Sequence, residues 1–226
     1  MPYEILKSNY ASEIGHPCLK YLQWRRQKPV IIPDEKKKLF DIGKVFEEVV
    51  LQKISSRFLV NETQKKFYDE KLELSGVVDA IVNNMLIMEI KSVSGAEFKK
   101  INWLSLYKSH KFLMYVYQIQ AYFLLSGFQE GLLFFINRET GDEKIFEIRR
   151  DEALIEEIIE KCMKVNEYLK TGKELEGIFV YDVCKDCYYF SECKEKVIGK
   201  EYLTTKEIKL SADLLEKLDR YYVLQE

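Results

Sequence analysis

The chain has 226 residues, of which 47% are hydrophobic and 32% are charged. With only 10 Gly and 4 Pro, this composition predicts a globular protein and excludes disordered, collagen-like and low-complexity classes. The formal charge of -2 excludes a polybasic, histone-like binder, so any binding of nucleic acid requires a local basic patch.

The sequence contains no run of about 18 apolar residues, the length that a membrane-spanning helix needs. Its first segment carries Glu4 and Lys7 and lacks the apolar centre of a signal peptide. We therefore expect no membrane partner and a cytoplasmic location. In that compartment the five cysteines are better explained as thiols or metal ligands than as a disulfide framework.

The predicted elements begin with a helix. Leu39 to Leu51 has apolar residues at helical spacing, which predicts an amphipathic helix packed on the core. Leu72 to Val82 and Met85 to Val93 are rich in Val and Ile around the turn pair Asn83 and Asn84, which is typical of a β-hairpin. Tyr107 to Leu125 is aromatic and free of Gly and Pro, so we expect a largely buried helix.

A second hairpin is predicted from Gly131 to Asn137 and from Lys144 to Ile148. A helix follows as far as Leu169, with Asp151 as its N-cap and Gly172 as its stop. These elements predict an α/β fold in which helices flank a mixed central sheet. We expect one domain over residues 1–200 and a helical tail over residues 201–226, where Ser211 could cap a short helix.

Three charged side chains interrupt the first hairpin. Glu89 and Lys91 are two apart on one strand and share a face, while Ile90 points into the opposite layer. Asp79 lies opposite Glu89 only if the connection has an odd number of residues, such as Asn83 to Met85. A two-residue turn would instead pair Asp79 with Met88.

With the odd connection, Asp79 and Glu89 converge on a site suited to Mg²⁺ or Mn²⁺, and the carbonyl oxygen of Ile90 offers a further ligand. Lys91 could then orient a water and offset charge on a phosphoryl group during in-line attack, which is the chemistry of phosphodiester hydrolysis. Taken alone, the three residues favour a simpler interpretation, a solvated strand face with a salt bridge worth at most ~1 kcal/mol.

A polar pair lies on the predicted aromatic helix. Gln118 and Tyr122 are four residues apart and therefore share one face. They are either an ordinary buried polar pair or groups that position Lys91, a water or a phosphate, because both side chains donate hydrogen bonds. The second interpretation requires that the pair lies beside the first predicted hairpin.

Cysteines cluster near the end of the chain. Cys184, Cys187 and Cys193 form a C-x-x-C-x-x-x-x-x-C pattern, which fits either Zn²⁺ or an iron-sulfur cluster. Cys18 is the best candidate for a fourth ligand, with His16 as the alternative, and the site would join the two ends of the chain. Cys162 is explained more simply as a small buried hydrophobe. A redox C-x-x-C or packed reduced thiols are the remaining alternatives.

Basic and aromatic residues that could hold DNA are interleaved along the chain, because phosphates attract cations and exposed bases stack on rings. Each group alone is typical of a solvated surface. They are Lys20, Arg25, Arg26, Lys36, Lys37, Lys38, Lys99, Lys100, Lys108 and Lys111, with Trp24, Trp103 and Tyr107.

The order of these motifs resembles a known family. Asp79, Glu89-Ile90-Lys91 and Gln118-x-x-x-Tyr122 are similar to the PD-(D/E)xK nuclease core with its RecB-type final motif. Cysteines before and after that core are similar to those of the CRISPR-associated RecB-like nucleases that carry an iron-sulfur cluster, the CRISPR-associated protein four family. The resemblance spans roughly Lys7 to Lys196.

This resemblance implies a restriction-endonuclease-like fold and a metal-dependent DNA exonuclease or endonuclease that acts on single-stranded ends. It also implies a role in CRISPR adaptation beside the integrase complex. The implied site residues are Asp79, Glu89 and the Ile90 carbonyl as Mg²⁺ or Mn²⁺ ligands, Lys91, Gln118 and Tyr122 as catalytic or accessory groups, and Cys18, Cys184, Cys187 and Cys193 as ligands of a 4Fe-4S cluster.

One position departs from the family pattern. The first helix of these nucleases carries a metal-binding His before a Glu, whereas this chain has Phe46 before Glu47. Either Glu47 or Glu48 supplies an oxygen ligand, or the site holds one ion with altered activity, or the protein is a catalytically weak DNA-binding scaffold. A recombination nuclease of a virus or mobile element is a further alternative.

Overall fold

The computed structural model describes residues 5–30 and 32–198. The chain forms two compact units, Met1–Glu176 and Gly177–Glu226. The predicted tail over 201–226, with its cap at Ser211, lies outside the described residues. Within the described ranges, every helix is too short or too polar to cross a membrane.

The first unit contains the strands and most of the helices. In chain order its elements are β1 (Asn9–Tyr10), α1 (Ala11–Ile14), α2 (Leu19–Arg25), α3 (Asp34–Ile54), β2 (Val60–Asp69), β3 (Leu74–Val82), β4 (Leu86–Val93), α4 (Gly95–Lys100), α5 (Trp103–Lys108), α6 (His110–Ser126), β5 (Glu130–Asn137), β6 (Glu143–Arg149) and α7 (Glu152–Thr171). The described part of the second unit contains α8 (Tyr181–Cys184) and α9 (Phe190–Ile198).

The strands form one mixed sheet, so the predicted α/β architecture is confirmed. β1 runs parallel to β3, and β4 runs parallel to β5. The pairs β2 with β3, β3 with β4, and β5 with β6 are antiparallel. Because β2 borders β3 along its whole length, β1 and β4 share the opposite edge of β3.

Of the two connections that the sequence leaves open, the first hairpin has the odd one. Val82 pairs with Leu86, which leaves Asn83, Asn84 and Met85 in the loop. Asn83 and Asn84 adopt φ values of +53° and +58°, a left-handed conformation that Asn tolerates better than most residues. The same register continues through Ala80 and Met88, so Asp79 follows on the side of Glu89.

The predicted helix over Leu39 to Leu51 lies within α3, but its packing differs from the prediction. Only Val50 and Ile54 of α3 are buried, and they join the core cluster with Met88 and Ile90. Four residues expected in the core are exposed, namely Leu39, Ile42, Val45 and Val49. The reason is that only the C-terminal end of α3 lies on the sheet, while its N-terminal half borders an open cleft.

The aromatic segment forms two helices instead of one. Ser109 is extended, with φ -89° and ψ 123°, and it separates α5 from α6. Helix α6 approaches the sheet closely at Gly131, because a Cβ there would meet the carbonyl oxygen of Ile87 at 2.8 Å and Cδ1 of Ile119 at 2.9 Å. The absent side chain therefore sets how closely α6 lies on β4 and β5.

The second hairpin and the following helix match the sequence prediction. Leu133 pairs with Phe146 in β5 and β6. The Asp151 carboxylate caps α7 by accepting from the amides of Ala153 and Leu154 at 3.0 and 3.3 Å. Gly172 ends the helix with φ +67°, a conformation that favours glycine.

We expect Gly131→Ala to lower the free energy of unfolding by about 1–3 kcal/mol, because the new methyl overlaps a backbone carbonyl that cannot move aside. Gly43→Ala is the matched control. The nearest atom to its Cβ is Oγ of Ser92 at 3.8 Å, and Ala in a helix gains up to ~1 kcal/mol over Gly. Urea unfolding of both variants tests this, and equal stabilities would contradict it.

Candidate functional site

A cleft of about 690 Å³ opens in the first unit. One wall is the N-terminal half of α3, and another is the start of α6. Asp79, Glu89 and Lys91 line the cleft together with the end of β4. The sequence-predicted carboxylates and lysine therefore meet at one solvent-accessible place.

The position of Asp79 follows from a separation of two strands. The ladder between β3 and β4 ends at Ala80 and Met88. Continued in the same register, it would bring Ile90 opposite Val78. Instead the Ile90 amide donates to Oδ2 of Asp79 at 2.8 Å. The carboxylate thus satisfies a backbone amide that the separating strands leave without a ladder partner.

Glu89 is the centre of a buried polar network. It is 2% exposed, and its Oε1 accepts from Nε2 of Gln118 at 2.7 Å and from Nζ of Lys91 at 2.5 Å. The Gln118 amide also donates to the Tyr122 hydroxyl at 2.7 Å. Gln118 and Tyr122 therefore lie beside the hairpin, as the functional interpretation of their spacing requires.

Tyr122 closes the gap between the separating strands. Its hydroxyl donates to the carbonyl of Val77 at 2.7 Å, on the stretch of β3 between its pairings with β1 and β4. Gly76 makes room for the ring, because a Cβ there would lie 2.7 Å from Cε1 of Tyr122. Hydrogen bonds therefore link Val77, Tyr122, Gln118 and Glu89 in one continuous network.

Burial dominates the electrostatics of the site. Burial and the nearby Glu89 raise the pKa of Asp79 well above its usual value, although Lys91 opposes the shift. Burial by itself would lower the pKa of Lys91, but the charge and hydrogen bond of Glu89, together with Tyr115 and Asp79, outweigh it, so the pKa of Lys91 is raised. Lys91 is therefore an ammonium group at neutral pH and acts as a donor of hydrogen bonds.

The oxygen atoms of the site suit a hard divalent cation. Oε2 of Glu89 is buried and has no hydrogen-bond partner among the described residues, which is unfavourable for a carboxylate unless another positive group satisfies it. Within residues 5–30 and 32–198, no three His, Cys, Asp or Glu side chains are already gathered in a metal-holding arrangement. Lys91 neutralises Glu89 in this arrangement.

Helix α3 brings one more carboxylate to the cleft. Glu47 lines the cleft and accepts a hydrogen bond from the Gln64 amide. Its pKa is raised by burial, with a smaller contribution from Glu89. Phe46 packs against the core cluster instead, and Glu48 is exposed. Of the two predicted alternatives, Glu47 is the carboxylate that faces the site.

The cleft also contains an aromatic ring and two cations that were not predicted. Nζ of Lys91 lies 5.0 Å from the ring centroid of Tyr115, and Lys44 and Arg138 also line the cleft. A signal for Tyr115 exists in the sequence, since it lies three residues before Gln118 and seven before Tyr122, on the same helical face. Lys44 similarly lies one turn before Glu47.

Several predicted DNA-binding residues are structural. Trp24 is 2% exposed, and its indole donates to Glu174 at 3.0 Å. Lys20 pairs with the same carboxylate at 3.2 Å. Arg25 forms a bidentate pair with Glu13. The prediction that these three residues bind DNA is wrong, because they hold α2 within the first unit.

The C-terminal cysteines lie in the second unit. The Cys187 amide donates to the Cys184 carbonyl at 3.1 Å, which closes a turn. The Cys184 thiol donates to the Ile178 carbonyl at 3.5 Å, and Cys193 lies in α9. Because no metal-holding group occurs among the described residues, the four-cysteine cluster receives no support and stays a prediction.

The cysteine and histidine of the first unit are buried. Cys18 precedes α2, and its amide donates to Nδ1 of His16 at 3.1 Å. Burial lowers the pKa of His16 to about 4, so its imidazole is neutral at pH 7. Cys162 is fully buried in α7, and burial raises the pKa of its thiol to about 12. Its interpretation as a small hydrophobe is confirmed.

No family model and no curated protein matches this chain. Solved structures do match it. An alkaline exonuclease (LHK-Exo) from Laribacter hongkongensis is 15% identical over 74% of this chain and 90% of its own, with a TM-score of 0.54. The same enzyme in complex with dAMP is 16% identical over 73% and 89%, with a TM-score of 0.57.

A protein designated SSO0001 is 17% identical over 86% of this chain and 90% of its own, with a TM-score of 0.57. At these identities the likenesses show a shared fold. They confirm the mixed sheet flanked by helices.

We expect Asp79→Asn to raise the free energy of unfolding of the metal-free protein at pH 7 by about 1–3 kcal/mol, the range for relieving an uncompensated buried polar group. The raised folded-state pKa means that ionised Asp79 opposes folding. This penalty is full above the folded-state pKa and disappears as the pH falls below the unfolded value of about 3.9. The advantage of Asn should therefore shrink towards pH 4.

Urea unfolding in chelator at several pH values measures this difference. Asp41→Asn is the control, because Asp41 is exposed on α3. Adding Mn²⁺ should then stabilise the wild type more than Asp79→Asn, since a bound ion stabilises the folded state by mass action. A lower free energy of unfolding for Asp79→Asn than for the wild type in chelator would contradict this prediction.

Proposed function

We propose that this protein is a metal-dependent DNA nuclease whose active site is the cleft around Asp79, Glu89 and Lys91. The observation that carries the proposal is the buried Oε2 of Glu89, which has no hydrogen-bond partner in the part of the chain that the structure describes. Glu89 lines the same cleft as Asp79. The shared fold of an exonuclease that binds dAMP supports the same substrate class.

Asp79, Glu89, the Ile90 carbonyl and Glu47 would hold Mg²⁺ or Mn²⁺, which prefer oxygen ligands. When bound, the ion supplies Lewis-acid activation of water and charge stabilisation at phosphate. Lys91 would act in the reaction as a positively charged hydrogen-bond donor. Its ammonium group can donate to the attacking water or to a phosphoryl oxygen, and so offsets the charge that develops during in-line attack.

Gln118 and Tyr122 serve as positioning residues in this proposal. Gln118 donates to Glu89 at 2.7 Å and so fixes the rotamer of that carboxylate. Tyr122 ties the pair to the Val77 carbonyl at 2.7 Å. A carboxylate held from two sides keeps its second oxygen directed towards a ligand.

We expect the purified protein to degrade labelled single-stranded DNA with Mn²⁺ and to lose this activity in chelator. Glu89→Gln and Lys91→Gln should each lower the rate by at least about 100-fold, since each removes a charge that acts at the reacting phosphate. Gel-based cleavage assays measure the rates.

Glu147→Gln is the matched control, because Glu147 is an exposed carboxylate on β6 and its loss should leave the rate unchanged. Equal activity of wild type and Glu89→Gln would refute the proposed site. DNA binding without cleavage under any divalent ion would favour the alternative of a catalytically weak scaffold. The reason to consider this alternative is Phe46, which stands where the family has a metal-binding His.

The finer parts of the proposal depend on the sequence resemblance. They are preference for single-stranded ends, a role in CRISPR adaptation beside the integrase complex, and a 4Fe-4S cluster on Cys18, Cys184, Cys187 and Cys193. A recombination role in a virus or mobile element shares the chemistry, and the genes neighbouring this one would distinguish the two contexts.

We expect anaerobically purified protein to be coloured and to contain iron if the four cysteines hold a cluster. Cys187→Ser and Cys193→Ser should each remove the colour, whereas Cys162→Ser should retain it, because Cys162 is buried in α7 of the first unit. Visible absorbance and metal analysis are the measurements. Colourless protein with bound zinc would replace the cluster with a zinc site, and metal-free protein would exclude both.

A further inference from the structure

Helices α4 and α5 expose aromatic rings between lysines. Trp103 is 51% exposed and Tyr107 is 48% exposed, and Lys99, Lys100 and Lys108 are exposed around them. We call these five residues the α4–α5 surface. We propose that this surface binds single-stranded nucleic acid next to the cleft, with bases stacked on the two rings and phosphates on the lysines. The inference rests on the proposed nuclease function.

The rings stand on a rigid support. Trp103 packs against Phe146 of β6, with centroids 5.2 Å apart and ring planes at 89°. Leu106 is fully buried beneath α5. Because the Trp103 ring is fixed by its contact with Phe146, little conformational entropy is lost when a base stacks on it.

Hydrogen bonds between side chains and backbone groups hold α4 and α5 in place. Asn102 and Ser105 form a reciprocal capping box at the start of α5, with hydrogen bonds of 3.0 and 2.9 Å. Nζ of Lys144 donates to the carbonyls of Phe98 and Ile101 at 2.7 and 2.8 Å. The end of α4 and the link to α5 are thereby tied to β6.

The charge of the surface complements a phosphate backbone. Three lysines are exposed there, and the acidic residue of α4, Glu97, pairs with Lys111. Asp151, whose charge acts on the Tyr107 hydroxyl, caps α7 through two amides. The lysines therefore present a local positive field on a chain whose net charge is -2, as local nucleic-acid binding requires.

In the chain, the surface lies between two segments that line the cleft. Ser94, the N-cap of α4, lines the cleft, as does Glu97 in its first turn. Lys111, at the start of α6, lines it as well. Because α5 connects these two cleft-lining segments, the proposal places Trp103 and Tyr107 on the route of a strand that leaves the cleft on this side. Stacking on them needs unpaired bases, which favours a single strand over a duplex.

The test measures binding separately from cleavage. Binding of labelled oligo(dT) is followed by fluorescence anisotropy in Ca²⁺, without Mg²⁺ or Mn²⁺. Tyr107→Ala should weaken binding by about 5- to 100-fold, the range for the loss of one stacked base. Lys99→Gln should weaken it and reduce the slope of log affinity against log salt by about 0.7.

Two controls separate stacking from folding. Leu104→Ala removes an exposed side chain of α5 that is apolar but not aromatic and should leave affinity unchanged. Trp103→Phe keeps a ring against Phe146 and should retain most binding, whereas Trp103→Ala should not. Thermal unfolding of each variant verifies that it is folded.

The two proposals fail in different ways. If cleavage is absent but Tyr107→Ala and Lys99→Gln weaken oligo(dT) binding, the nuclease proposal fails and the α4–α5 surface stands. If cleavage occurs but neither variant changes affinity, the surface is overturned. It is also overturned if Tyr107→Ala weakens duplex binding equally, or if the residues are needed only for binding to anionic phosphatidylserine vesicles.

Discussion

The site depends on one hydrogen bond, from the Ile90 amide to the Asp79 carboxylate. A continued ladder between β3 and β4 would use that amide for the backbone and close the sheet at this point. Because the ladder ends at Ala80 and Met88, a side chain replaces the backbone as acceptor, and the strands separate enough to admit the Tyr122 hydroxyl to the Val77 carbonyl. The cleft follows from this local failure of regular pairing, which the polar side chains satisfy.

The buried carboxylates that suit a bound cation also oppose folding. Glu89 and Asp79 are desolvated together, and Lys91 compensates one of the two charges. Burying an ion pair rarely adds net stability, and a further uncompensated carboxylate subtracts from it. The surrounding contacts must therefore supply the difference, including the Met88 and Ile90 cluster behind the strand. A site that is strained electrostatically without a cation is also one in which a cation is strongly favoured.

Much of the fold could be predicted from local patterns. The two hairpins and the capped helix α7 depend on turn and capping residues, which act over a few positions. The burial of α3 could not be predicted in this way, because apolar spacing does not reveal that Leu39 borders a cleft or that Val45 is exposed. Strand β2 lacks alternating apolar residues, since every one of its residues is exposed or only half-buried. Lys20 and Trp24 were misassigned because ion pairs such as that with Glu174 join residues 150 or more positions apart.

Helix α6 shows why the site could be predicted better than its surroundings. One helical face carries Tyr115, Gln118 and Tyr122, so their mutual spacing is fixed by the helix and visible in the sequence. Their distance from Glu89 is fixed by something else, the close approach of α6 to the sheet at Gly131. A residue with a Cβ at that position would push the helix outward, and the 2.7 Å contact between Gln118 and Glu89 would be lost although no side chain of the proposed site had changed. The missing side chain at Gly131 is therefore as necessary to the site as the carboxylates are.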